Sequence, residues 1–156
     1  MKTFGTFFEL GGRGAMESLC RTGLDYVIID TEHGCFSEET TADLILAAEK
    51  GGLLPYVRIG DTRRPYVLRM LDIGARGLIV PYIRTLDQVR ELVDAAKFPP
   101  VGNRGFCPNR TSGWGADAWA QDVGAYMAEC NRRCKVIPQC ETKEALDLIE
   151  RITAMP

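Results

Sequence analysis

The sequence predicts an α/β protein built on a parallel sheet, and three observations carry that reading. Apolar runs without polar alternation, such as Tyr26-Val27-Ile28-Ile29 and residues 77–83, are what strands buried on both faces look like. Stretches of helical spacing separate these runs. The successive strand positions Tyr26, Leu54 and Leu78 lie 28 and 24 residues apart, the length of a strand, a helix and two short connections.

Residues 3–10 read as the first strand, with Phe4, Thr6 and Phe8 in alternation; Gly11-Gly12-Arg13-Gly14 turns the chain into a helix over 15–22. The second strand spans 25–31. Ser37 followed by Glu38 and Glu39 is the start signal of a helix over 40–50, which Gly51-Gly52 closes. A third strand over 53–59 leads to a helix over 62–73, with Pro65 in its first turn and Gly74 at its end. The fourth strand covers 77–83, and Thr85 caps a helix over 86–97. Between residues 98 and 134 the rhythm breaks. The string PPVGNRGFCPNRTSGWG holds four Gly and three Pro and precedes a helical stretch over 116–134. Arg104, Arg110 and Trp114 mark this segment as an active-site loop rather than a passive linker. The fifth strand, 135–140, is followed by a helix that opens at Thr142 and runs through Leu146, Ile149 and Ile152.

Two architectures accommodate this order: an open doubly wound sheet, and a (βα)8 barrel, which is typically about 250 residues long. The length of 156 residues favours the first. The positions of Asp30, Glu32, Arg58 and Glu141, at the C-terminal ends of strands two, three and five, favour the second. Periodicity leaves both open.

Composition narrows the function by exclusion. Nineteen basic residues against 21 acidic ones give a formal charge of −2, which offers no basis for a polyanion partner. Aromatic residues do not interleave with a basic stripe, so no nucleic-acid partner is expected. No apolar stretch approaches the roughly 18 residues of a membrane span, and Glu9 and Arg13 interrupt the N-terminal region; the expectation is one domain over 1–156 with a cytoplasmic address and no membrane partner. Six cysteines are too sparse for a disulfide framework and read as free thiols. Cys130 and Cys134 have no histidine nearby and make a poor zinc site. Gly11-Gly12-Arg13-Gly14 lacks the spacing of a dinucleotide loop, and neither a Walker lysine nor a GxSxG elbow is present.

The candidate chemistry lies at strand ends. Asp30-Thr31-Glu32-His33-Gly34 contains the sole histidine, a side chain able to take and return a proton near neutral pH and equally able to sit idle in a loop. Arg58 offers a guanidinium for a carboxylate or enolate oxygen, or a salt bridge to Asp30 or Glu32. Glu141, after Pro138-Gln139-Cys140, is an oxygen ligand for a hard divalent cation or a cap for the next helix. Asp72 falls near a helix C-terminus, where the dipole disfavours a negative charge, and so calls for a specific partner.

Taken together, GLDYVIIDTEHG, LPYVRIGDTRRPYVLRMLDIGARGLIVPYI, the RG of the long loop and VIPQCET resemble the HpcH/HpaI aldolase family across essentially the whole chain. The resemblance implies a (βα)8 TIM-barrel type of fold, of which this chain carries about the first five βα units. It implies a metal-dependent pyruvate aldolase that cleaves 4-hydroxy-2-oxoacids to pyruvate and an aldehyde, with Mg2+ or Mn2+ as cofactor and a homo-oligomeric assembly. By position, His33 resembles the catalytic base and Asp72 the carboxylate that pairs with it. Arg58 resembles the arginine that binds the keto or enolate oxygen, Gln139 lies in the same site, and Glu141 resembles the first of two metal carboxylates. Asp30 and Glu32 are expected to organise the base. The family continues beyond the fifth unit with a GPxDL-type motif that supplies the second carboxylate; the sequence ends before it, so a fragment of a longer protein is expected. The same scaffold is similar to oxaloacetate decarboxylases and CoA-ester lyases, and a silent half-barrel that only self-associates is the non-enzymatic alternative.

Overall fold

A computed structural model describes residues 2–155. Five parallel strands form one sheet: β1 (Gly5–Phe8), β2 (Tyr26–Asp30), β3 (Leu54–Arg58), β4 (Gly77–Val80) and β5 (Lys135–Pro138). Each strand pairs with the one before it in sequence, in the order β1-β2-β3-β4-β5. A doubly wound sheet reverses direction at a switch point, whereas a barrel adds each strand on the same side of the last. The observed order therefore settles the choice in favour of five units of a barrel-type sheet.

Helices α1 (Arg13–Leu19), α2 (Glu38–Lys50), α3 (Arg64–Asp72) and α4 (Leu86–Ala96) make the crossovers between successive strands. Their ends are set locally. The Ser37 hydroxyl accepts the Thr40 N–H at the start of α2, and Thr85 and Gln88 form a reciprocal capping box at the start of α4. Along the strands, Val27, Ile29, Val57, Leu78 and Val80 face the helices and pack with Leu44, Ile45, Val67, Met70, Val89 and Leu92 as the main core. The alternate residues, among them Phe7, Ile28, Tyr56 and Ile137, point to the other face, where Phe7 and Ile137 are exposed. That face corresponds to a barrel interior and lies open here.

The expected elements differ at their edges. β1 is four residues rather than eight, and β4 ends at Val80 because Pro81 has no N–H and Tyr82 takes a positive φ of 56°. The stretch 116–134 is not one helix. Gly113, Trp114 and Gly115 all adopt positive φ within a short 3₁₀ segment, Arg110–Gly115, and a second 3₁₀ turn, Ala118–Ala120, follows. Only then does α5 (Val123–Arg133) begin, capped by Asp122. After β5, Leu148 leaves the helical region and divides the last helix into α6 (Lys143–Asp147) and α7 (Ile149–Thr153). No helix among the described residues is long and apolar enough to cross a membrane.

Candidate active site

The C-terminal ends of β2 and β3 carry a dense polar cluster. Asp30 and Arg58 are register partners on these neighbouring strands, and their side chains meet as a two-point pair, Nε to Oδ1 at 2.9 Å and Nη2 to Oδ2 at 2.5 Å. Asp30 is completely buried, and its Oδ1 also accepts the backbone N–H groups of Glu32 (3.0 Å) and His33 (3.2 Å). Burial pushes the Asp30 carboxyl up, but the Arg58 hydrogen bond, the His33 and Glu32 N–H groups and the Arg58 charge outweigh it, and the net result is a carboxyl held below its ordinary value. An ionised Asp30 thus fixes two things at once: the plane of the Arg58 guanidinium and the path of the loop that carries His33.

Arg58 has further company. Glu32 Oε2 lies 3.5 Å from its Nε, Glu9 Oε1 lies 3.8 Å from its Nη2, and the guanidinium carbon sits 4.9 Å from the centre of the Phe7 ring. Its Nη1 donates to no residue among those described, so one edge of the fork is left for a ligand. His33 is mostly exposed, with Nε2 4.0 Å from the Glu32 carboxylate. The loop that presents it folds so tightly onto the strand end that a Cβ on Gly34 would come within 2.1 Å of the Asp30 carbonyl oxygen, which accounts for the glycine there. Thr31 binds the Arg58 carbonyl through both its N–H and its hydroxyl, and Tyr66 of α3 donates to the Thr31 hydroxyl at 3.0 Å.

A second polar group lies at the ends of β4 and β5. Glu141 Oε1 accepts the Tyr82 N–H at 2.6 Å, and the Gln139 amide donates to Glu141 Oε2 at 3.3 Å. The Gln139 side-chain oxygen Oε1 is buried and accepts no hydrogen bond from the described residues. Glu141 and this orphaned oxygen are hard donors of the kind that suit Mg2+ or Mn2+. They are also too few to enclose one, because no group of three or more His, Cys, Asp or Glu side chains among the described residues converges on a point.

The structure thus brings Asp30, Glu32, His33 and Arg58 together and sets Gln139 and Glu141 at the same end of the sheet. It does not bring Asp72 to His33 within one chain. α3 runs antiparallel to the strands, so its C-terminal residue Asp72 lies at the opposite end of the sheet, where it accepts a hydrogen bond from Arg104 Nη2 at 2.7 Å. The partner that the helix dipole calls for is Arg104. Likewise the long connection does not cover the strand C-termini, as an active-site loop of this chain should: Arg104 and Arg110 bind Asp72 and Glu49 at the ends of α3 and α2. Sequence reading missed Glu9, which entered only as a break in an apolar stretch. Period-2 alternation from Phe7 places it beside Asp30 on the open face, a signal that was available.

A barrel-type parallel sheet whose charged side chains gather at the strand C-termini is the architecture of the (βα)8 class. This chain belongs to the HpcH/HpaI aldolase/citrate lyase family, whose model matches residues 4–156. It is similar to the 2-dehydro-3,6-dideoxy-6-sulfogluconate aldolase of Pseudomonas putida, with 31% identity over 97% of this chain and 58% of that protein. It is similar also to the 4-hydroxy-2-oxovalerate aldolase of Novosphingobium aromaticivorans, with 34% identity over 85% of this chain and 49% of that protein. In structure it resembles the HpcH/HpaI aldolase from Desulfitobacterium hafniense DCB-2, with a TM-score of 0.88 and 31% identity over 99% of this chain and 59% of that one. The chain spans about half to three-fifths of the length of these relatives.

Proposed function

We propose that these five units carry the base and the enolate-binding arginine of a carbon–carbon lyase that cleaves a 4-hydroxy-2-oxoacid to pyruvate and an aldehyde. The single observation that carries this reading is Arg58, held in plane by a buried carboxylate and left with a free edge beside the only histidine. His33, or a water that it holds, takes the proton of the C4 hydroxyl; the C3–C4 bond breaks, the aldehyde leaves, and the electron pair passes into the pyruvate enolate. The Nη1 edge of Arg58 lies against the oxygen on which negative charge accumulates. The proton then returns to C3 to give pyruvate. Glu32 keeps the imidazole near Arg58, and Asp30 holds both loop and guanidinium in place. Glu141, with Gln139 beside it, would contribute to holding a divalent cation, Mg2+ or Mn2+, whose chemistry would be to polarise the 2-oxo group. Asp72 has no part in the site of its own chain on this reading. Six unpaired thiols support a reducing, cytoplasmic setting.

The test is pyruvate release from a 4-hydroxy-2-oxoacid with Mn2+ or Mg2+ and with chelator. Metal-dependent turnover that falls roughly 10²–10³-fold in Arg58→Met supports the assignment. Full cleavage by His33→Ala removes the base, and unaltered metal affinity in Glu141→Ala removes the ligand.

The open sheet face favours a second reading, a half-barrel that associates with its own kind: Phe7, Leu54 and Ile137 are exposed there together. A folded chain that sediments as an oligomer and releases no pyruvate with any metal would establish it.

A further inference from the structure

The N-terminal end of the sheet, remote from the proposed chemistry, holds a pocket of about 380 Å³. We propose that it binds a phosphate-bearing small molecule, with the phosphate dianion on arginines and the organic part against Trp119.

The lining is strongly cationic. Lys50, Arg76, Arg104, Arg110 and Arg133 line the pocket, and Glu49 is the only carboxylate that does. Asp72 answers Arg104 from outside it, Glu129 is shared between Arg133 and Arg132, and Glu49 answers Arg110. Two positive charges remain unanswered, and neither Arg76 nor Lys50 has an ion-pair partner among the described residues. A phosphate monoester carries about −1.5 to −2 at neutral pH, which matches that excess.

One donor beside the pocket is unmet. The Arg104 side chain is only 6% exposed, binds Asp72 through Nη2 and rests 4.7 Å from the centre of the Phe98 ring, yet its Nε is buried and donates to nothing. Buried polar groups almost always have a partner, so Arg104, which lines the pocket, keeps unused donor capacity next to it. Arginine forks suit the oxygens of a phosphate better than a point charge does.

The walls complete the site. Trp119 is part-exposed and held by Arg133, whose guanidinium carbon lies 5.6 Å from its ring centre, and Leu46 and Leu71 add apolar surface. The volume falls in the range of about 300–1,000 Å³ of small-molecule sites. The backbone is firm where it matters. Arg76 bridges two strands, its N–H donating to the Pro55 carbonyl and its own carbonyl accepting the Lys135 N–H.

The experiment uses the whole chain with Trp114→Phe, so that Trp119 is the sole indole, at an ionic strength fixed by sodium chloride. Inorganic phosphate and phenyl phosphate are titrated separately, with Trp119 fluorescence and thermal midpoint as readouts. Saturable binding of both, tighter for phenyl phosphate, is expected; Arg76→Gln weakens both at least about tenfold while leaving the midpoint of the free chain unchanged, because Arg76 has no carboxylate to orphan. Should Arg76→Gln not fold, Lys50→Gln reads the same loss. A response that never saturates and matches chloride overturns the site, as does equal affinity in the folded variant. A Trp119 signal that follows chain concentration in sedimentation, and not phosphate, overturns it too, because the pocket then takes side chains of a second copy.

Discussion

An arginine pairs with an aspartate at each end of the sheet, and the two pairs divide their burial in opposite ways. At the strand C-termini the acid is the hidden member: Asp30 is fully enclosed and accepts from Arg58 and two backbone N–H groups, while Arg58 keeps an unoccupied edge. At the strand N-termini the base is hidden: Arg104 is enclosed, and Asp72 is about a quarter exposed. The saturated acid at one end serves as an anchor and turns the arginine outward. The under-used arginine at the other end is itself the unmet group. Each arginine thus keeps one donor unpaired, at an open edge in Arg58 and at a buried nitrogen in Arg104.

The largest effect expected from breaking this contrast is at Asp30. Asp30→Ala removes the partner of a largely buried guanidinium and two loop hydrogen bonds, and should cost about 3–5 kcal/mol by urea unfolding. Asp30→Asn keeps an acceptor and should cost less. The sign of the pH dependence follows from the depressed carboxyl. Its stabilisation is fully present above the ordinary carboxylate pKa of about 3.9 and is lost as pH falls through the lower folded value. The gap between the native chain and Asp30→Asn should therefore hold at neutral pH and close only in acid. A gap that is already closed at pH 5 would place the pair's energy elsewhere.

The corresponding variant at the other end, Asp72→Asn, should cost less, about 1–2 kcal/mol, because the carboxylate is partly solvated and Arg104 retains the Phe98 ring. Equal losses at Asp30 and Asp72 would erase the difference between the two pairs.

How much of this contrast the sequence displays depends on the range of the contacts. Strands, crossover helices and caps are local, and Tyr26-Val27-Ile28-Ile29, Ser37 and Thr85 announce them. The Asp30–Arg58 pair is nearly local too, since two strand ends one unit apart are forced into register. Asp72 is different. Its helix position signals a missing partner, but Arg104 arrives from 32 residues later along a connection whose path is set by Gly113 and Gly115 at positive φ and by Asp122 delaying the helix. No periodicity encodes that path, so the connection reads as cover for the strand C-termini when it packs at the other end. The Glu9 approach to Arg58 was legible in principle from alternation. The arrangement around Gln139 and Tyr82, set by a positive φ, was not.

Lys97 tests what holds the connection at the N-terminal end. Its ammonium is buried and donates to the carbonyls of Asn131 (2.7 Å) and Cys134 (2.6 Å), tying the end of α4 to the end of α5. Burial pushes its pKa down. Lys97→Met fills similar space but leaves both carbonyls unpaired, and a loss of about 1–3 kcal/mol is expected, with accelerated amide exchange over α5. Unchanged exchange there would mean that the aromatic cluster of Phe98, Trp119 and Tyr126 secures the segment alone.

The smallest expected effect is the most discriminating. Glu49→Gln touches a pair with Arg110 in which each side chain is about a third exposed, so solvent screens it and stability should change by about 0.2–1 kcal/mol at most. Glutamine still offers Arg110 an oxygen. What changes is charge: the pocket loses the only carboxylate in its lining, and its positive excess grows by one. Affinity for phenyl phosphate should then rise while the unfolding midpoint stays nearly fixed, the reverse of Arg76→Gln. The same neutralisation at Asp30 would destabilise the fold, because it removes the charge that holds the Arg58 guanidinium in plane. An increase in anion affinity at no cost in stability would show that the Glu49–Arg110 pair belongs to a binding surface, whereas Asp30 is an anchor on which both the fold and the orientation of Arg58 depend.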